Sequence, residues 1–152
     1  MQGFWNNPQA TAERIVDGWV KTGDIGRLDA DGSLHMLGRA TDMVISGSFN
    51  IYPAELENII AAHPVVLEVA VLGIPDERWG ETPCAVVCAK YQAPVTENDV
   101  VELRADRLCN DRRPGRVVLR HEPLPKTPGG KIKRKELREP FRAGRERRVT
   151  GN

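Results

Sequence analysis

Two apolar runs in the middle of the chain are rich in β-branched residues and follow each other closely. Residues 65–74 form the first run, which is interrupted by Glu68 and ends at Pro75-Asp76. Residues 83–89 form the second run. Runs of this length and composition are typical of β-strands. We therefore predict two consecutive strands here, and the rest of the fold has to be built around them.

Helix signals flank these strands. A helix is predicted to begin at Pro53, because proline lacks the N–H that would have no partner at that position. His63-Pro64 ends this helix. A second helix is predicted after Thr96, which forms a capping-box pattern with Asp99. Two further short strands are predicted at 43–45 and 116–119, and a short terminal helix at 133–138.

The order from residue 41 onward is therefore strand, helix, strand, strand, helix, strand. This order predicts an α+β fold, a small sheet with helices on one face. Residues 1–40 carry few core residues and predict a β-hairpin that turns at Ala30-Asp31-Gly32. Before it, Asn7-Pro8 predicts a turn and Thr11 the start of a short helix. We expect them to be the end of a larger domain. Residues 41–139 would form a second domain, and 140–152 a basic, disordered tail.

The bulk composition fits a packed domain and argues against several classes. Hydrophobic residues make up 40% and charged residues 28%, and the net charge of +1 gives no argument for nucleic acid. There is neither an apolar run long enough to cross a bilayer nor a signal peptide, and the cysteines lack CxxC spacing, so we expect the cytoplasm. No metal site is predicted, because the histidines are scattered: His35, His63 and His121.

Three motifs identify a family. They are GWVKTGD at 18–24, GRATDMVISG continuing into NIYPAELE within 38–57, and PKTPGGKI at 125–132. Each resembles a signature of the acyl-CoA synthetases of the adenylate-forming superfamily. Together they stand in the family's order over residues 1–139. The resemblance implies the C-terminal part of an AMP-forming acid–CoA ligase. In it, residues 1–40 would be the tail end of the large N-terminal domain with the approach to the hinge, and residues 41–139 the mobile C-terminal domain.

The same resemblance implies ligands and partners. They are ATP and AMP, coenzyme A and a carboxylic acid, by analogy a fatty acid, bound largely by an N-terminal domain outside this sequence. Mg²⁺ is implied as well, with its ligands outside this chain. Lys131 is implied as the catalytic residue, since a long ammonium can neutralise charge that builds up during adenylation. A solvated lysine in a basic segment is the alternative.

The remaining site residues are also assigned through the resemblance. Asp24 would bind the ribose hydroxyls, and Arg39 ribose or phosphate. Their alternatives are a turn-capping carboxylate and a surface ion pair. The resemblance assigns the hinge to Thr41, where relatives mostly carry Asp or Lys, and Asp42 next to it is the alternative pivot. The coenzyme A site is predicted to comprise Gly47, Ser48, Trp79, Arg112 and Arg113.

Two departures leave a second reading open. They are Thr41 at the hinge and Ser48, which replaces a glycine that relatives usually carry in the loop along the pantetheine tunnel. Plain packing is the alternative for Trp79. A non-catalytic binding or regulatory module that keeps the fold is therefore the alternative function. In either case we expect the isolated chain to lack acyl-adenylate activity, because it has no phosphate-binding loop.

Overall fold

The computed structural model describes residues 1–90, Thr96 and residues 114–142. The chain divides into two compact units, Met1–Thr41 and Asp42–Asn152. The second predicted helix and most of the predicted tail lie outside the described residues. The assignment of the two units to the end of a large domain and to a mobile domain stays a prediction.

The first unit contains one short helix and two hairpins. Asn7 caps the helix by accepting a hydrogen bond from the backbone N–H of Ala10 at 3.0 Å, and Pro8 takes its first position. The helix therefore begins at Pro8, whereas the sequence predicts a start at Thr11. The elements are α1 (Pro8–Arg14), β1 (Ile15–Val16), β2 (Trp19–Val20), β3 (Asp24–Leu28) and β4 (Leu34–Arg39), with β1 paired to β2 and β3 to β4.

Large apolar side chains of the first unit remain in solvent. Trp5 is 98% exposed, Trp19 81% and Leu28 69%, and no residue of the unit is buried. A unit of two two-stranded ribbons and one short helix cannot cover such side chains by itself. This agrees with the expectation that the segment carries few core residues.

The second unit is built on one sheet. The elements are β5 (Val44–Ser46), β6 (Phe49–Ile51), α2 (Pro53–Ala61), β7 (Val66–Asp76), β8 (Gly80–Ala89), β9 (Arg116–Arg120) and α3 (Arg134–Arg142). The strands lie in the order β6-β5-β8-β7, and β9 pairs in parallel with β8. Strands β5 and β6 form a hairpin, and the sequence did not indicate the second of them.

Both faces of β7 and β8 are buried. Val69 and Val71 lie in a core cluster with residues of α2, whereas Ala70 and Leu72 lie in a second cluster with Leu137 of α3. Neighbouring residues of a strand point to opposite faces, so α2 and α3 cover opposite faces of the sheet. The predicted α+β class is confirmed, and the terminal helix adds a cover on the second face.

Helix α3 continues further than predicted. The sequence placed residues 140–142 in a disordered tail, but the helix includes them and ends at Arg142. The last turn has partners. The guanidinium of Arg116 lies 5.3 Å from the ring centre of Phe141, and Arg142 lies 4.0 Å from a carboxylate oxygen of Glu81. No helix among the described residues is long and apolar enough to span a bilayer.

The packing of α2 predicts a large stability loss on truncation of Leu56, which is 1% exposed. We expect Leu56→Ala to lower the free energy of unfolding by about 2–5 kcal/mol, because it leaves a cavity. Leu67→Ala is the control, since Leu67 is 55% exposed, and it should cost about 0.5 kcal/mol or less. Urea unfolding followed by circular dichroism measures both, and equal losses would contradict this packing.

Candidate functional site

Lys131 lies at the end of a closed turn. The backbone N–H of Thr127 donates to the carbonyl of Lys131 at 2.8 Å, and the N–H of Lys131 donates to the Thr127 hydroxyl at 3.2 Å. Gly130 adopts a φ of +80°, which favours glycine, and its N–H donates to the Thr127 carbonyl at 2.9 Å. The backbone of this segment, residues 127–131 or "the lysine turn", is therefore held while Lys131 itself is exposed.

The base of the lysine turn is attached to the sheet. Lys126 and Ile132 form an isolated antiparallel bridge, and the N–H of Lys133 donates to the carbonyl of Pro125 at 2.8 Å. Ile132 packs against the cluster that contains Leu124. The turn therefore projects from two short segments that are anchored by apolar contacts on the second face of the sheet.

Glu68 holds the first of these segments. Its carboxylate accepts a hydrogen bond from the backbone N–H of Leu124 at 2.9 Å and pairs with the ammonium of Lys126. The hydrogen bond from Lys126, together with that from Leu124, lowers the pKa of Glu68. Glu68 lies where the β7–β8 register shifts, which turns a charged side chain out of an otherwise apolar strand.

Arg134 holds the second segment. Its guanidinium binds both carboxylate oxygens of Glu57, at 2.6 and 3.0 Å, and also donates to the carbonyl of Val71 at 3.1 Å. The same Glu57 carboxylate accepts the backbone N–H of Val71 at 2.7 Å. Burial lowers the pKa of Arg134, but hydrogen bonding to Glu57 outweighs it and the net shift is upward. This bidentate pair joins α3 to α2 past the edge of β7.

The predicted coenzyme A residues Gly47, Ser48 and Trp79 fall at one end of the sheet. The N–H of Gly47 donates to the carbonyl of Trp79 at 2.8 Å, and Gly47 has a φ of +58°. A Cβ at Gly47 would lie 2.9 Å from Cε3 of Trp79. The guanidinium of Arg78 lies 4.6 Å from the Trp79 ring centre. The Trp79 ring therefore lies against the tip of the β5–β6 hairpin, and 46% of this residue's surface is exposed.

Asp24 and Arg39, the predicted nucleotide residues, are brought together in the first unit. They are directly opposed in the β3–β4 register, and Nε of Arg39 lies 3.4 Å from the Asp24 carboxylate. Gly23 precedes them with a φ of +80°, and its carbonyl accepts the N–H of Ala40 at 2.9 Å. A carboxylate and a guanidinium are thus presented side by side.

The other predicted residues are placed as follows. Thr41 is exposed and ends the first unit, and Asp42 begins the second. Arg112 and Arg113 lie outside the described residues. Among those that are described, no group of three or more His, Cys, Asp or Glu side chains could hold a metal ion.

Comparison with known proteins agrees with these motifs. Residues 55–131 match the model of the AMP-binding enzyme C-terminal domain. The chain belongs to this family. It is 44% identical over 143 residues to the long-chain-fatty-acid–CoA ligase FadD13 of Mycobacterium tuberculosis, covering 94% of this chain and 28% of that protein.

Solved structures extend the comparison of this C-terminal domain. ATP-bound MatB from Rhodopseudomonas palustris matches with a TM-score of 0.84 and 36% identity, over 92% of this chain and 28% of that one. The o-succinylbenzoate CoA synthetase MenE of Bacillus subtilis, in complex with the acyl-adenylate intermediate OSB-AMP, matches with 0.83 and 35%, over 90% and 28%. The chain thus spans little more than a quarter of these relatives' length.

The contact between Gly47 and Trp79 predicts a specific substitution effect. Alanine at either Gly47 or Gly80 would take a positive φ, at a cost of about 1–3 kcal/mol. Gly80 has no atom within 4 Å of an added Cβ, so Gly80→Ala is a control for backbone strain alone. Gly47→Ala should cost at least about 1 kcal/mol more, because Trp79 has to move. Thermal unfolding measures the difference, and tryptophan emission should change in Gly47→Ala. Equal losses and unchanged emission would contradict the contact.

The lowered pKa of Glu68 links stability to pH. As the pH falls, Glu68 is protonated first in the unfolded chain, because its pKa is higher there. Its contribution to the free energy of unfolding is therefore fully present above about pH 4.3, and it is lost as the pH falls through the lower pKa of the folded state. Glu68→Gln should be less stable than the unaltered chain at about pH 7, and the difference should shrink toward about pH 3. Urea unfolding at several pH values tests this.

Glu122→Gln is the matched control, because Glu122 is 86% exposed in its pair with Arg120. Its stability difference from the unaltered chain should be small and nearly constant with pH. A difference for Glu68→Gln that stayed the same over the whole pH range would contradict the proposed link.

Proposed function

We propose that the chain is the C-terminal part of an AMP-forming acid–CoA ligase. The reaction joins a carboxylic acid and coenzyme A, and converts ATP to AMP and pyrophosphate. One observation carries the proposal: Lys131 is an exposed lysine on a turn whose backbone is held by hydrogen bonds. A solvated lysine of a disordered segment would lack such a frame, whereas a lysine that must reach one reaction centre benefits from it.

Lys131 would act in the first step. The acid's carboxylate oxygen forms a bond to the α-phosphorus of ATP. The bond from this phosphorus to the oxygen that bridges the α- and β-phosphates breaks, and pyrophosphate leaves. Negative charge accumulates between the two anionic reactants in this transition state. The ammonium of Lys131 would lie beside their oxygens and offset that charge. Its backbone needs no reorganisation, because the lysine turn is already closed.

Asp24 and Arg39 would bind the nucleotide. A carboxylate accepts hydrogen bonds from both ribose hydroxyls, and the adjacent guanidinium suits ribose or phosphate oxygens. Their direct cross-strand pairing supports a shared ligand, because the ion pair orients both side chains. The implied Mg²⁺ has no cluster of acidic ligands among the described residues, and we assign none of its ligands to them.

The hairpin tip would act in the second step, in which the coenzyme A thiol attacks the acyl carbon and AMP leaves. Gly47 offers its backbone to the ligand without a side chain in the way. Trp79 holds this backbone in place, through its carbonyl and through its ring. Ser48 is exposed at the same tip. Arg112 and Arg113 would pair with the nucleotide phosphates of coenzyme A. Thr41 and Asp42 would form the hinge that exchanges the two faces of this domain between the steps.

The acid and the location are finer points. The relatives named above include a long-chain-fatty-acid ligase and an o-succinylbenzoate ligase, so this region does not by itself distinguish the acid. By analogy with the long-chain-fatty-acid ligase, we propose a fatty acid as the substrate and a cytoplasmic enzyme of fatty acid metabolism. A non-catalytic module is not favoured, because two of the relatives described above are named as a CoA ligase and a CoA synthetase.

The proposal predicts that Lys131 is needed for adenylation. Joining this chain to the preceding part of the Mycobacterium tuberculosis ligase, in place of that enzyme's own C-terminal region, gives an assayable protein, "the joined enzyme". It should catalyse acid-dependent exchange of pyrophosphate into ATP, whereas the chain alone should not. Lys131→Ala should slow the exchange by roughly 100- to 1000-fold.

Lys135→Ala is the control, because Lys135 is an exposed lysine of α3 close in sequence. It should leave the exchange rate within about twofold. A joined enzyme that is inactive, or one that is equally active without the amine of Lys131, would overturn the proposed function.

A further inference from the structure

Asp42 connects the hinge to α3. It is the first residue of the second unit, directly after Thr41. One of its carboxylate oxygens lies 3.7 Å from Nε of Arg134, and the other lies 3.7 Å from Nη2 of Arg138. The two basic residues are one helical turn apart, so a single carboxylate can face both of them.

Arg134 is the centre of this arrangement. Its guanidinium uses three different groups at once: both oxygens of Glu57, the carbonyl of Val71, and the Asp42 carboxylate on the Nε side. Its side chain is 24% exposed and that of Glu57 is 16% exposed. A bidentate pair at this burial is directional and less screened by solvent than a surface pair. Lysine could not reproduce it, because an ammonium is a single point charge.

The connection from Arg134 to Lys131 is short and held. Three peptide bonds separate the two residues, and each of these peptide groups is hydrogen-bonded. In the first, the carbonyl of Lys131 accepts the N–H of Thr127 at 2.8 Å. The N–H of Arg134 donates to the carbonyl of Ile132 at 3.0 Å, and the N–H of Lys133 donates to the carbonyl of Pro125 at 2.8 Å. A displacement of Arg134 must therefore displace the lysine turn.

We propose that Arg134 is a positioning residue for Lys131: by binding Asp42 and Glu57 together, it makes the residue after the hinge, helix α2 and the lysine turn one rigid piece. When the chain rotates at Thr41–Asp42, the lysine turn then moves with Asp42 as part of this rigid piece, and Lys131 moves with it. This inference rests on the proposed function, because it assigns Lys131 the adenylation role.

The kinetic test separates positioning from general damage. In the joined enzyme, Arg134→Met should lower the kcat of acid-dependent pyrophosphate exchange by about 10- to 100-fold, since displacing a catalytic group by about 1 Å costs this much. The KM for ATP should stay within about twofold. Thioester formation from supplied acyl-adenylate and coenzyme A should be unchanged, because Lys131 is not used in that step. Arg134→Lys should recover only part of the exchange rate.

A second measurement uses the chain itself and needs no activity. Endoproteinase Lys-C cleaves after lysine, and mass spectrometry gives the cleavage rate at each site. Arg134→Met should accelerate cleavage after Lys131 by about tenfold relative to cleavage after Lys21, because loosening the turn exposes its backbone. Arg120→Met is the matched control. It removes an arginine whose partner, Glu122, is 86% exposed, and it should change neither the kinetics nor the cleavage.

The outcomes are distinct. The positioning role is overturned if Arg134→Met slows both half-reactions to the same extent, or if it changes neither the exchange rate nor the cleavage rate. In both cases Lys131 keeps its proposed role in adenylation. If Lys131→Ala has no effect on exchange, the proposed function fails instead. If Arg134→Met does not fold, Glu57→Gln, which removes the charge but keeps the shape of the partner, must show the same split between the half-reactions, and its absence overturns the inference.

Discussion

The pairing of β7 with β8 determines how the second unit can be assembled. The two strands remain in register from Val69 opposite Val87 to Asp76 opposite Gly80, and both faces of the ladder are apolar. A two-sided apolar sheet needs a cover on each side. Helix α2 covers one side. The segment that carries Lys131 covers the other, through Leu124 and Leu137, so the position of the lysine follows from burial of the sheet.

Polar contacts then determine where on that face the lysine turn lies. Two carboxylates, Glu68 and Glu57, hold the segments before and after it, and each also accepts a backbone N–H. Apolar contacts are tolerant of small shifts, whereas a bidentate pair or a carboxylate shared between a backbone N–H and an ammonium is directional. The fold therefore combines a non-directional cover with two directional anchors, which suits the role that we propose for Lys131.

The sequence predicted the parts of the fold that depend on local signals. Pro53 begins α2, as expected from its missing N–H, and the two β-branched runs are the paired strands β7 and β8. Three-residue β6 was missed, because Phe49–Ile51 is too short to show a period. The start of α1 was misplaced, since Asn7-Pro8 is equally suited to a turn and to a capped helix start.

The anchors of the site could not be predicted, because their partners are distant in sequence. Glu57 and Arg134 are 77 residues apart, and Glu68 and Leu124 are 56 apart. Arg134 lies in a basic segment, where a solvated side chain is the usual expectation. One signal was available for Glu68: a charged residue inside an apolar run needs a partner, although the sequence does not indicate which.

Amide hydrogen exchange of the unaltered chain tests most directly whether the lysine turn is preformed. The N–H groups of Thr127, Lys131 and Lys133 are all hydrogen-bonded. Each should exchange at least about tenfold more slowly than in an unstructured peptide of the same sequence. Exchange of all three at the unstructured rate would show a mobile arm instead of a held turn, and would contradict this account.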